Sequence, residues 1–191
     1  MVVVPTRPDA RQRLLDAGEE LFAALGPGCP VDAVLARADV APATLYAHFG
    51  SKAGLHAAVL DARLARWDAA WSAAVAAADD DRGRLLAVFD CLADFRRDGS
   101  PARWCAFLDA AAGAPPEDPT ATAALAADTA LLRGRLTELA GPVAGGRAGE
   151  LADALLLVVT GTLAMHLREA PADAVARGRR TAEAVLAGVT G

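Results

Sequence analysis

Four side chains able to bond to phosphate lie close together in the chain: Thr44, Tyr46, His48 and Lys52. The hydroxyls of Thr44 and Tyr46 can bond to phosphate oxygens, and the His48 ring can donate to them. The Lys52 ammonium adds a positive charge where the start of a helix already favours an anion. Composition singles out two of the four. Tyr46 is the only tyrosine in 191 residues, and Lys52 is the only lysine in a chain whose other cationic side chains are all arginine. Keeping a compact point charge at one place suits a phosphate contact better than general solubility. Pro42, Ala43 and Ala47 belong to the same stretch, and alanine methyl groups can touch the methyl of thymine. No Arg, Asn or Gln lies between Val40 and His48, so this stretch offers no bidentate contact to guanine or adenine. Arg7, near the N-terminus, could instead enter a minor groove.

These residues need a rigid support. The pattern predicts a short helix over about Val31–Ala38, a turn, and a second short helix over Pro42–His48. Val34, Leu35 and Ala38 form one apolar face, and Val40, Leu45 and Phe49 a second. Helices of about two turns are not stable alone. They must pin each other and pack on a preceding helix, whose Leu14, Leu21 and Phe22 recur at helical spacing. Pro8 and Asp9 suit the start of that helix, and Gly26 its end. A short helix pair of this kind can present its second member to the major groove of DNA.

The run V-D-A-V-L-A-R-A-D-V-A-P-A-T-L-Y-A-H-F-G-S-K-A-G-L, from Val31 to Leu55, resembles the signature of the TetR family of transcriptional regulators. So does R-Q-R-L-L-D-A-G-E-E-L-F-A-A-L-G, from Arg11 to Gly26. The resemblance covers nearly the whole N-terminal module, and T-L-Y-x-H-F-x-S-K is its most specific part. It implies an all-α fold, with a three-helix helix-turn-helix module over residues 1–50. A C-terminal ligand-binding and dimerisation domain of about six helices would follow over 51–191. It assigns DNA-binding roles to Pro42, Ala43, Thr44, Tyr46 and His48, with a phosphate contact at Lys52. It also implies a homodimer formed through the last two helices, a palindromic double-stranded operator, and a small-molecule effector that releases the repressor. There are departures from the family pattern. Asp39 stands where a glycine is usual in the turn, and Ala41 where Ser or Thr usually caps the second helix. Leu35 and Gly18 replace residues that are usually smaller and larger, respectively.

Charge favours a local rather than a general attraction to DNA. The whole chain carries −5, and its first 56 residues hold five cationic and six acidic side chains. A histone-like binder is excluded, and non-specific affinity should be low and sensitive to salt. The rival reading is a ligand- or partner-binding protein of the same fold with weak or lost DNA binding.

Beyond residue 50 the sequence divides at Asp79-Asp80-Asp81, Gly99-Ser100-Pro101, Gly113–Pro116, Gly141–Gly146 and Ala170-Pro171 into further helical segments. Trp67 and Trp71 lie one turn apart, and Phe89, Cys91, Trp104, Cys105 and Phe107 supply other large or soft apolar groups. They fit either a core or the lining of an effector pocket, where Asp109 could orient a polar ligand. Ala152, Ala154, Gly161 and Ala164 would permit close contact in a two-fold interface. Cys29, Cys91 and Cys105 form no CxxC pair, and no spacing of His, Cys, Asp and Glu suggests a metal or a cofactor. No convergent acid and base groups point to an enzyme. The apolar run Leu151–Leu167 is short and interrupted by polar residues, as in a buried helix. With no export signal read at the N-terminus, the expected setting is the cytoplasm, without a membrane.

Overall fold

The computed structural model describes residues 9–97, 105–113, 119–168 and 172–190. Arg7 and Trp104, singled out above, lie outside these. In chain order the elements are α1 (Ala10–Leu25), α2 (Val31–Ala38), α3 (Pro42–Phe49), α4 (Lys52–Ala76), α5 (Asp81–Arg97), α6 (Ala106–Gly113) and α7 (Pro119–Ala144). A 3-10 turn (Gly145–Arg147) then leads to α8 (Ala148–Arg168) and α9 (Ala174–Thr190). No strand occurs among the described residues, so the fold is all-α.

Local chemistry explains the boundaries. The Asp9 carboxylate accepts from the Gln12 amide at 2.7 Å and caps α1, occupying one of the donors a helix start leaves free. Gly26 ends α1 at φ 74°, its N–H donating to the Phe22 carbonyl at 2.8 Å. Ser51 caps α4 by accepting from the Gly54 amide at 2.9 Å. Asp80 does the same for α5, accepting from Gly83 at 2.6 Å. The run of three aspartates is therefore a helix start as well as a break.

The chain forms two compact units. One contains α1, α2, α3, the start of α4 as far as Ala62, α6, and the first residues of α7 as far as Ala124. Its core is Leu14, Ala17, Phe22, Cys29, Val34, Leu35, Ala38, Leu45, Leu55 and Val59. The boundary at residue 50 expected from the sequence thus falls later along α4. The reason is that Leu55 and Val59 are buried together with α1. Gly18 belongs to the same packing: a β-carbon there would lie 3.0 Å from Val59 Cγ2 and 3.3 Å from Phe22 Cε2. The glycine that weakens α1 by propensity lets α4 come close.

The other unit contains the remainder of α4 and α7 with α5, α8 and α9. Trp71, Leu85, Val88, Phe89, Leu136, Leu151, Leu155, Ala182 and Leu186 are central to its core. The stretch Thr122–Met165 is long and apolar enough to cross a membrane by composition. The 3-10 turn at Gly145–Arg147 divides it, however, and Leu151, Leu155 and Val159 are buried in the core. Exposed ion pairs such as Arg133–Asp153 at 3.0 Å add little to stability.

Candidate nucleic-acid interface

The reading helix is α3, and its attachment rests on few groups. Leu45 is its one buried side chain, fully enclosed. Phe49 is half-buried, with the Arg11 guanidinium carbon 5.5 Å from its ring centre. Pro42, Ala43, Tyr46, Ala47 and His48 are exposed, and Thr44 is half-buried with its amide donating to the Ala41 carbonyl at 3.0 Å. Tyr46 is 54% exposed, which is unusual for a large ring. The structure thus gathers the expected α3 residues on one short element, with all but Thr44 open to solvent.

The turn before α3 is held from α1. Asp39 adopts φ 53°, ψ 58°, the left-handed conformation usually given to glycine. Arg13 Nε donates to the Ala38 carbonyl at 3.0 Å, and its Nη2 to the Asp39 carbonyl at 3.3 Å. Sequence reading missed Arg13 because the contact spans 25 residues and no local pattern announces it. Ala41 makes no side-chain cap, and Pro42 occupies the first turn of α3; its fixed φ suits that place.

Lys52 is placed differently from its expected role. Its ammonium donates to the Cys29 carbonyl at 2.8 Å, tying the start of α4 to the α1–α2 connection. An ammonium has three donors, so a phosphate contact would have to use the remaining ones. Burial is the larger influence on the adjacent Cys29 thiol and raises its pKa, with the Lys52 charge opposing.

Acidic groups temper the site. Asp32, Leu35, Ala36, Asp39, Val40, Ala41 and Pro42 line an open groove of about 410 Å³ beside the first turn of α3. Its two carboxylates explain how a reading helix can sit in a module without net positive charge.

The residues expected to line a pocket do not all fall in one unit. Trp67, Trp71 and Phe89 belong to the unit built on α5, α8 and α9, as does Cys105, which is half-buried. Phe107 and Asp109 lie on α6 in the first unit. Phe107 is buried there, and Asp109 Oδ2 is 3.3 Å from where a β-carbon on Gly26 would stand. Sequence spacing could not separate these sets, because an apolar run carries no label for the core it joins. No group of three or more His, Cys, Asp and Glu able to hold a metal occurs among the described residues.

A short helix pair braced by a preceding helix, with the second member exposed, defines a helix-turn-helix DNA-binding module. Residues 14–59 match the profile described as bacterial regulatory proteins, tetR family. A TetR-family transcriptional regulator from Streptomyces coelicolor is 29% identical, with 95% of this chain and 96% of that one covered and a TM-score of 0.85. A TetR transcriptional regulator from Streptomyces avermitilis is 27% identical, covering 95% and 98%, with a TM-score of 0.79. At 15% identity, a TetR-family regulator from Cytophaga hutchinsonii shares the fold, with coverage of 97% and 98% and a TM-score of 0.80. No curated protein sequence matched. The chain belongs to the TetR family of bacterial regulatory proteins and is a transcriptional regulator.

Proposed function

We propose that the protein is a cytoplasmic repressor that binds a palindromic operator as a homodimer and leaves it when a small effector binds. The observation that carries this reading is the exposed Tyr46 on a helix whose supporting turn is clamped by Arg13. Two α3 helices about 34–36 Å apart, or slightly further, would enter successive major grooves. Pro42, Ala43 and Ala47 would approach bases, while Thr44, Tyr46 and His48, with Lys52 through its remaining donors, would meet phosphates. Residues of α4 belong to both compact units, so this helix is the natural carrier of an effector signal. Ligand and operator would then oppose each other through one equilibrium.

The test is fluorescence anisotropy with DNA surrounding the protein's own gene, across a salt series. Saturable, sequence-selective binding is expected at two protomers, or a multiple, per site. Tyr46→Ala should weaken it roughly tenfold or more, the effect of one bond to a charged group. An unchanged affinity in the double variant Tyr46→Ala, Lys52→Ala would sink this assignment of the reading face. Absence of selective binding even at low salt would favour the rival protein that keeps the fold for its ligand, a reading supported by Asp32 and Asp39 beside α3.

For the dimer we look to α8 and α9. Leu157 is 75% exposed, the most open large apolar side chain among the described residues. Gly161 on α8 and Ala184, Ala187 and Gly188 on α9 are also exposed. A knob of this size beside small residues suits an isologous interface. Leu157→Arg is expected to convert the dimer to monomer in analytical ultracentrifugation and to weaken operator binding by at least tenfold. A variant that stays dimeric would move the interface elsewhere.

A further inference from the structure

Two polar groups in the unit built on α5, α8 and α9 have no partner among the described residues. Trp71 is fully buried, and its Nε1 makes no hydrogen bond. A buried donor left unpaired costs free energy and calls for an explanation. Asp128 on α7 is half-buried and has neither a hydrogen bond nor an ion pair. Burial alone pushes its carboxyl up to about 6, with no nearby cation to counter it.

The neighbouring groups are spoken for. The Arg135 guanidinium lies over the Trp71 ring, 4.6 Å from its centre, and is paired with Asp68. It also donates to Ser72 Oγ at 3.0 Å. Trp67 stands beside Trp71 with ring centres 6.0 Å apart. The Cys91 thiol stays neutral, its pKa pushed up to about 12 mainly by burial. Asp68 and Arg135 cancel, so the ionised Asp128 leaves this cluster one negative charge in excess. A protein does not ordinarily keep such a charge half-buried and unpaired without use.

Helix geometry relates the two orphaned groups. Asp128 precedes Arg135 by seven residues, which places it nearly on the same stripe of α7 and about 10 Å along the axis. Leu132, between them on that stripe, packs against the core. The path from the Trp71 site to Asp128 is therefore apolar, bounded by a hydrogen-bond donor at one end and a carboxylate at the other. About 10 Å is the length of a two-ring aromatic molecule.

We propose that the effector of this regulator is an organic monocation: an amine on an aromatic or similarly flat apolar body, its charge against Asp128 and an acceptor atom toward Trp71. This rests on the effector-release reading above. Neutral or anionic ligands would leave Asp128 unpaired or repelled. The arrangement therefore selects by charge, through the cost of a buried, uncompensated carboxylate.

A charge-matched pair of probes tests the class directly: (6-methoxynaphthalen-2-yl)methanamine, a cation at neutral pH, and 6-methoxy-2-naphthoate. Binding is read by calorimetry on the full-length wild-type protein. The amine is expected to bind at least tenfold more tightly than the carboxylate, and Asp128→Asn to abolish that preference. Asp128→Glu, which keeps the charge, should retain it and guards against a variant that fails to fold. Equal or stronger binding of the carboxylate, binding of neither probe, or a preference that survives in Asp128→Asn would overturn the proposal. Operator release is measured separately by anisotropy. An amine that binds through Asp128 without displacing DNA would leave the ligand class standing and refute the effector role.

Discussion

A Leu45→Ala variant is expected to lose operator binding by about a hundredfold while the unit built on α5, α8 and α9 stays folded. The eight residues of α3 bury a single side chain, Leu45, and bury it completely. Two turns of helix have little stability of their own, so the position of α3 depends on this one anchor and on the half-buried Phe49. Removing a leucine to alanine in a closed core costs about 3 kcal/mol, more where the site cannot collapse. Here the neighbours are Leu14, Val34 and Leu55, on three other helices of the same core. They have no freedom to close the gap without moving α3 itself. Loss of 3 kcal/mol from the binding-competent arrangement corresponds to roughly a hundredfold in affinity. Leu45→Met, similar in volume, should retain most of it. Anisotropy with operator DNA and thermal unfolding followed by circular dichroism would check both variants. Full affinity in Leu45→Ala would mean that α3 is not the reading helix or does not need to be held.

The second large effect is expected at Gly178 on α9. A β-carbon there would run into the Thr162 hydroxyl on α8, and would lie 3.1 Å from both Thr162 Cβ and Phe89 Cε1. Thr162 has little room to turn away. It is a buried polar residue, and its hydroxyl donates to the Val158 carbonyl at 2.7 Å. Gly178→Val adds three carbons at this crossing, and overpacking of that kind costs about 3 kcal/mol. For a chain of this size the melting temperature should fall by roughly 10 °C. Gly188, on the same helix but with nothing near its β-position, supplies the control: Gly188→Ala should change little. Combining Gly178→Ala with Thr162→Ala should recover part of the stability lost in Gly178→Ala, because the two share one contact. A melting temperature unmoved by Gly178→Val would show that α8 and α9 do not approach at this point.

What the sequence announced, and what it withheld, follows from the range of the forces involved. The limits of α2 and the start of α3 were legible because Pro30, Asp39 and Pro42 act on their own backbone. The exposed face of α3 was legible from the apolar spacing of Leu45 and Phe49. Arg13 was not, since it reaches across 25 residues to two carbonyls. Nor was the internal bond of Lys52: a lone lysine in an arginine-rich chain reads as a phosphate ligand until its Cys29 partner is seen. Gly18 read as a weak point in α1 for the same reason, because Val59 comes from another helix. The grouping of Phe107 and Asp109 apart from Trp71 depends on which core a helix joins, and helical periodicity says nothing of that.

The ties around α3 also bear on entropy. Arg13 fastens the main chain just before α3, and Lys52 fastens the connection on which the α1–α2 pair turns. Both bonds end on main-chain carbonyls, so they hold backbone and not merely a rotamer. A loop or a loosely attached helix would have to be frozen as it met DNA, at the expense of affinity. Here that ordering is already complete in the free protein. A reading face without arginine, asparagine or glutamine thus starts with little left to lose, and a few contacts to phosphates and methyl groups count for more than they would on a mobile support.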